Sequence, residues 1–529
     1  MKTILIHTPK FNNFYKPIGD FIWLNYMPMG LLAIADHGVR NGHDVEVVHL
    51  GVEWIENRDF RIDELVRDPD IRAVGFCLHW HHQAWDVIEA ARRIRTLRND
   101  VFIFAGGDTA SFYHEELLRD FPEIDAVVRG YGEASLCGLL DAVKENGGLE
   151  RIPNLSWRDG ARVCCNAVSY TGDADLLNGL SYTNFSLLRH AHTYIHHTGV
   201  PFFFAKRFTK KQNLRLFTLG SPVFPLPAGR GCPFTCSWCS GSQTTQARLI
   251  SGMAGCMYRA HDSVIADIRA AVAAGYRIMH TAFDPEPVRQ EYFIDLWRRI
   301  RQENIQVDWM FECNGLPSDT FVDEFARTFP GKHSTLALSP ESGNEALRLR
   351  HKGPGFSTAA LLEKMDRIDR RGLATEVFFS FGLPGENEDL LQETVALQKT
   401  LRSRYRTLRS IRTLSIEIEP GAPWQLDPEA FGIVTDRRLF RDFYAAHSAP
   451  GQGTFTSFGY YIPDYFHRPL DSRQPYADFA RRMQDLKCRH FCFIHPNPAK
   501  TGRPWQGRLM CAVASRLVAL KPENLSRPY

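Results

Sequence analysis

Ala228-Gly229-Arg230-Gly231-Cys232-Pro233-Phe234-Thr235-Cys236-Ser237-Trp238-Cys239 places three thiols within eight positions on a glycine-containing loop. Three thiolates so spaced can each reach a different iron of one cuboidal cluster, leaving the fourth iron without a protein ligand. An open iron can chelate the amino and carboxylate groups of a small molecule, and a low-potential cluster can then pass it an electron. Two other readings fit less of the stretch. Structural zinc wants four ligands in a closed shell, and the next candidate, Cys256, lies seventeen positions on without a partner motif. A redox dithiol of Cys236 and Cys239 leaves Cys232 unexplained.

Working outward, the segment from about Pro222 alternates β-rich runs with amphipathic helices. Strands are expected at Arg277–Ala282, Val307–Glu312, Ser334–Leu338, Ala374–Phe379 and Ile411–Ile418. That order predicts a partial (β/α)6 barrel over 221–433, with a mixed C-terminal extension at 434–529, rich in Tyr, Phe and Pro, that could lid its mouth. Upstream, Thr3–Thr8, Val45–Leu50, Ala73–Leu78, Val101–Ala105 and Ala126–Arg129 read as strands, with helices at Pro28–Asn41 and Trp85–Leu97. Alternation of this kind predicts an α/β, doubly wound, Rossmann-like domain over 1–145. Residues 146–220 lack a clear period and read as a linker with a small β excursion.

Composition narrows the class. With 529 residues the chain is too long for one core. Its 63 basic and 60 acidic residues, net +3, leave no electrostatic surplus for nucleic-acid phosphates. A nucleic-acid partner is unsupported. No apolar run approaches the ~18–20 residues a spanning helix needs, and the opening MKTILIHTPKF reads as a first strand rather than a secretory signal; a soluble, cytoplasmic protein is expected. Twelve cysteines are too few for a disulfide scaffold. Cys77, Cys137, Cys313, Cys511 and the pair Cys164–Cys165 read as buried structural thiols.

The cysteine loop resembles that of the radical SAM superfamily (SAM, S-adenosylmethionine), which typically has an aromatic residue before the third cysteine, here Trp238. Ser339-Pro340-Glu341-Ser342-Gly343-Asn344 looks like the family's fourth-strand segment at the SAM ribose or amino group. Phe381-Gly382-Leu383-Pro384-Gly385-Glu386 looks like the fifth-strand segment near the adenine, and Glu419-Pro420-Gly421-Ala422-Pro423 like the sixth-strand exit. The resemblance implies a 4Fe-4S cluster on Cys232, Cys236 and Cys239, and SAM contacts at Trp238, Ser339, Glu341, Ser342, Gly382, Leu383 and Pro384. Ala282-Phe283-Asp284-Pro285 stands where the family often has Gly-Gly-Glu for the SAM amino group, and this chain lacks that spelling.

A doubly wound domain ahead of such a barrel resembles the cobalamin-binding class of the superfamily. Ligands of these sheets sit at the carboxyl ends of the strands. The contacts implied are Thr8, Pro9, Leu78, His79, Trp80, Gly106, Gly107, Gly130, Tyr131, Gly132 and Glu133. The histidine stretch by which some cobalamin proteins ligate cobalt is absent, so base-off binding without a histidine ligand is implied. In Leu78-His79-Trp80-His81-His82, His79 or Trp80 could sit near cobalt; a solvated turn capping the next helix is the alternative. The tail run Lys487–Pro496 gathers two thiols and two histidines, either as a metal site or as a packed aromatic segment.

Together these readings imply a cobalamin-dependent radical SAM methyltransferase. It would methylate an unactivated carbon of a small molecule through a 5′-deoxyadenosyl radical and methylcobalamin, with flavodoxin or ferredoxin as electron donor. The same architecture also supports rearrangement, cyclisation or dehydrogenation without methyl transfer. A non-catalytic iron–sulfur sensor is the alternative from a different class. Asp284, Glu286, Glu312 and Glu417 lie near strand ends, as acid, base or hydrogen-bond anchors.

Overall fold

The structure, a computed structural model, describes residues 1–8, 27–57, 59–197, 222–249, 255–281, 290–446 and 458–491. Its first layer is a seven-stranded sheet of β1 (Lys2–His7), β2 (Asp44–His49), β3 (Ile71–Cys77), β4 (Phe102–Gly106), β5 (Ala126–Val128), β6 (Leu155–Asp159) and β7 (Arg162–Cys165), in the order β2-β1-β3-β4-β5-β6-β7. The first five pair in parallel and bury an apolar middle on both faces, with polar residues such as Lys2, Asp44 and His49 at their ends. Helices Met29–Arg40 and Ala84–Leu97 fall within a residue of their expected limits, and the first ends at Asn41 with Gly42 at φ 88°.

The small β excursion expected in the linker is the β6–β7 hairpin. It adds antiparallel to β5 and makes the sheet mixed. This also corrects one thiol: Cys165 is exposed, because β7 is the edge strand. Cys313 is buried, Cys77, Cys137 and Cys164 are half-buried, and Cys511 lies outside the described residues.

The second sheet holds six parallel strands. In chain order, β8 (Val223–Pro225) precedes a short antiparallel ribbon, β9 (Gly229–Gly231) with β10 (Cys256–Tyr258). Then come β11 (Ile278–Thr281), β12 (Asp308–Cys313), β13 (Thr335–Glu341), β14 (Ala374–Phe381) and β15 (Leu408–Ser415). The order β15-β14-β13-β12-β11-β8 follows the chain, the pattern of a partial barrel. Strand β8 escaped the sequence reading because Pro222, Pro225 and Pro227 mask it as a turn, and β15 begins three residues before its expected start.

A last short pair, β16 (Val434–Thr435) with β17 (Tyr460–Tyr461), and helix Pro475–His490 form the C-terminal region. Tyr460 Oη donates to the Gly382 carbonyl (2.8 Å), and Phe491 meets Phe381 at 5.9 Å, so this region packs on the loop after β14. Helix Phe440–Ala446 packs instead on helix Ala84–Leu97 of the first domain. No helix among the described residues is long and apolar enough to cross a membrane.

Candidate functional site

The cysteine loop leaves β9 through Gly231, at φ 88°, a left-handed turn that costs glycine little. Cys232, Cys236 and Cys239 are all half-buried. Burial raises each thiol above its ordinary value. Glu419 and the other cysteines push Cys239 further the same way, while the Lys352 ammonium opposes the shift at Cys232 and Cys236. Three mutually repelling thiolates in a half-dry pocket need positive charge beyond one lysine, and bound iron supplies it. The donor set therefore fits an iron–sulfur cluster.

Residues between the cysteines fix the loop. His351 Nε2–H donates to the Pro384 carbonyl at 2.7 Å, which leaves Nδ1 to accept from Ser237 Oγ at 2.9 Å. Ser237 Oγ in turn accepts from Trp424 Nε1–H at 2.9 Å. The Ser237 amide donates to the His351 carbonyl, and the Trp424 amide to that of Ser237. One serine thus ties the cysteine loop to the helix after β13, the loop after β14 and the β15 exit. Burial lowers His351 to about 4, so the ring is neutral and keeps this tautomer.

Beside the cysteines, Glu341 ends β13 at φ 64°. Its carboxylate accepts from Lys352 Nζ (3.2 Å) and Ser380 Oγ (2.6 Å). Ser339 is half-buried two residues earlier. Trp238 lies edge-on to Trp424, 6.1 Å between centroids. The remaining residues implied for SAM shape the backbone. Buried Ser342 accepts from the Asn344 amide through Oγ. Gly382 donates its N–H to Glu386 and offers its carbonyl to Tyr460. Leu383 is buried, and the Pro384 carbonyl is taken by His351. Ala282–Pro285, Asp284 and Glu286 lie outside the described residues.

Across from this loop stand the C-terminal ends of the first sheet. Gln83, which sequence reasoning missed because a lone glutamine carries no pattern, clamps two of them. Its Nε2 donates to the Thr8 carbonyl (2.6 Å), and its Oε1 accepts from the amides of His79 and Trp80. Thr8 is fully buried, and its Oγ1 finds no hydrogen-bond partner among the described residues. Leu78 is buried, donates to the Gly106 carbonyl and accepts from the Ala110 amide. The His79 side chain is 45% exposed, with Nδ1 3.8 Å from Asp108, and Trp80 stacks on His82. Pro9 lies outside the described residues.

Gly107 has φ 105°, and a Cβ there would stand 2.8 Å from the His79 backbone. Gly106 has room, its nearest contact 3.5 Å away. Gly130, at φ 64°, donates to Ser111 Oγ, and Gly132 caps helix Glu133–Glu145. Glycine backbones, an unpartnered buried hydroxyl and an exposed imidazole form a surface that a bulky planar cofactor fits.

The two halves meet through specific contacts. Glu133 forms an ion pair with Arg230, whose guanidinium lies over the Tyr131 ring, 4.7 Å from its centroid. Gln246, on the helix after Cys239, donates to Asp108 at 3.1 Å. His81 Nε2 lies 3.4 Å from Glu417, while within the barrel half Glu419 accepts from the Ser240 amide at 2.7 Å. A half-buried three-thiol loop at the mouth of a parallel half-barrel, faced by the ligand edge of a doubly wound sheet, defines a two-domain iron–sulfur enzyme with a second cofactor.

Residues 20–140 match the B12 binding domain family and residues 226–397 the radical SAM superfamily. An uncharacterised methyltransferase of Pyrococcus horikoshii is 25% identical over 77% of this chain and 79% of its own length. The hopanoid C-3 methylase of Methylococcus capsulatus is 26% identical over 56% of this chain; the alignment spans about half of that relative, 49%. The fold matches the radical SAM methyltransferase TsrM of Kitasatospora setae, solved with cobalamin and a [4Fe-4S] cluster, with TM-score 0.63, 17% identity and coverage of 94% and 90% of the two chains. The chain thus carries a B12 binding domain ahead of a radical SAM domain, and by distant homology it stands with methyltransferases.

Proposed function

We propose that the protein methylates an unactivated carbon of a small molecule, with Cys232, Cys236 and Cys239 holding the cluster. The bound groups supply an open iron, a radical precursor and a methyl carrier. TsrM, solved with its tryptophan substrate and a SAM analogue, is a relative in fold that acts on a small molecule. In this reading Glu341, held by Lys352 and Ser380, faces SAM together with Ser339, Trp238 and the Gly382–Pro384 backbone. Ser342 shapes that loop from behind. The ends of the first sheet, from Thr8 through Leu78–Trp80, Gly106–Gly107 and Gly130–Tyr131, cradle the corrin, and Glu133 anchors their last loop.

The observation that carries the reading is the joining of both loop sets by Glu133–Arg230 and Gln246–Asp108, which sets the strand ends of the first sheet beside the cysteine loop. Holding reactants so, away from water, can supply ~7–11 kcal/mol of a barrier. The test is anaerobic reconstitution with iron, sulfide and hydroxocobalamin, removal of unbound cofactor, and an absorption spectrum. Wild type is expected to keep a broad iron–sulfur shoulder and sharper corrin bands, and the triple Cys232→Ala/Cys236→Ala/Cys239→Ala variant only the latter. Turnover products should carry an added methyl group. Loss of the corrin bands from wild type, or products of unchanged carbon count, would sink the methyl-transfer reading.

A further inference from the structure

A parallel sheet covered on both faces is apolar throughout, yet β12 and β14 alternate. Outward-facing Trp309, Phe311, Val377 and Phe379 are buried, while Glu312, Glu376 and Phe378 on the concave face are not. Pairing in register puts Glu312, Ala337 and Glu376 level on three neighbouring strands, and Phe378 level with Arg412 on the next. At ~4.8 Å between strands, the two glutamates stand about 10 Å apart with only an alanine methyl between them. The face is partly exposed: side-chain exposure is 39% for Glu312, 43% for Arg412 and 14% for Glu376, and Leu414 is 45% exposed.

The charges there are organised. His280 Nε2 lies 3.1 Å from Glu312, and Arg412 lies 3.2 Å from Glu376 with its guanidinium 5.4 Å from the Phe378 centroid. Imidazole aside, Glu312 and Glu376 face the Arg412 guanidinium, and Arg409, bonded to Thr335, adds a second positive charge that acts on Glu376. An apolar polycycle laid on this face would desolvate both pairs at several kcal/mol per ion. The return, at ~25 cal/mol per Å², is about 2.5 kcal/mol for each 100 Å² covered. An ammonium between the glutamates and a carboxylate on the free edge of the arginine fork would instead add no net charge and give each ion of the ligand a partner of opposite sign.

We propose that the concave face of the barrel seats a zwitterionic substrate of amino-acid type. Its ammonium lies between Glu312 and Glu376, its carboxylate on Arg412, and its remaining body along Phe378 and Leu414. The inference rests on the proposal that the protein methylates a small molecule.

The test uses the protein loaded with cluster, cobalamin and SAM, titrated anaerobically in a calorimeter with four probes that share one phenylalkyl body. These are L-phenylalanine, phenethylamine, hydrocinnamate and n-propylbenzene. L-Phenylalanine is expected to bind at least about tenfold more tightly than any other, the worth of one charge-assisted hydrogen bond. Arg412→Gln should cost phenylalanine and hydrocinnamate about tenfold and spare phenethylamine; Glu376→Gln should cost phenylalanine and phenethylamine and spare hydrocinnamate. Variants are compared only where both cofactor spectra match wild type. Absence of phenylalanine binding at millimolar concentration, equal binding of the hydrocarbon, or indifference to both substitutions overturns the proposal. Failure to load cobalamin or cluster shows in the spectrum before any probe is added, and belongs to the methyltransferase reading instead.

Discussion

Glu133, the first residue of a first-domain helix, is the buried counterion of Arg230, two residues before the first cluster cysteine. Tyr170 Oη also reaches the carboxylate, at 3.4 Å. The glutamate that its position after the fifth strand suggested for cobalamin is thus occupied in joining the domains.

Glu133→Gln leaves a buried guanidinium without its charge partner, a change that costs about 3–5 kcal/mol. A lower melting temperature is expected by calorimetry. The double variant Glu133→Gln/Arg230→Met should recover part of the loss, because it removes the orphaned charge. A double variant no more stable than Glu133→Gln would show that the pair does not act as one unit.

His351 makes the cysteine loop sensitive to acid. Burial holds its folded value at about 4 against 6.5 for the free ring. Between those values the unfolded chain binds the extra proton, so stability is full above pH 6.5 and falls on acidification through that window, by up to about 3 kcal/mol. Urea midpoints of wild type should drop between pH 7 and pH 4, and His351→Gln should flatten the slope.

Glu386 works with the opposite sign. Burial raises its carboxyl to about 7, against opposing hydrogen bonds from Gly382 N–H and Tyr465 Oη. The folded state holds the proton that the unfolded chain has released, so the stability it contributes is present below pH 4.5 and lost as pH rises through 7. Glu386→Gln, uncharged at every pH, should match wild type near pH 4.5 and exceed it at pH 8 by on the order of 2 kcal/mol. Equal urea midpoints at pH 8 would refute the shift.

Gly107→Ala combines a left-handed backbone with a Cβ 2.8 Å from His79, and should cost about 1–3 kcal/mol and weaken corrin retention. Gly106→Ala meets nothing nearer than 3.5 Å and should be tolerated. Equilibrium unfolding and corrin absorbance after desalting separate the two. Equal behaviour would mean that the close approach of the β3 and β4 loops does not shape the site.

The sequence by itself determined what local chemistry and period can write: three thiols at cluster spacing, five apolar runs of the first sheet, and most strands of the second. These survive because covalent spacing and strand patterning do not depend on distant partners. The tertiary structure decided the rest. Framed by prolines, β8 reads as a turn, so only pairing with β11 reveals a strand. His351 holds Ser237 across 114 positions, and Gln83 bonds Thr8 across 75. The facing of Glu312 and Glu376 follows from register on three strands. Such roles come from the geometry of burial, which gives a polar group a single partner; a chain read residue by residue holds the groups but not the distances between them.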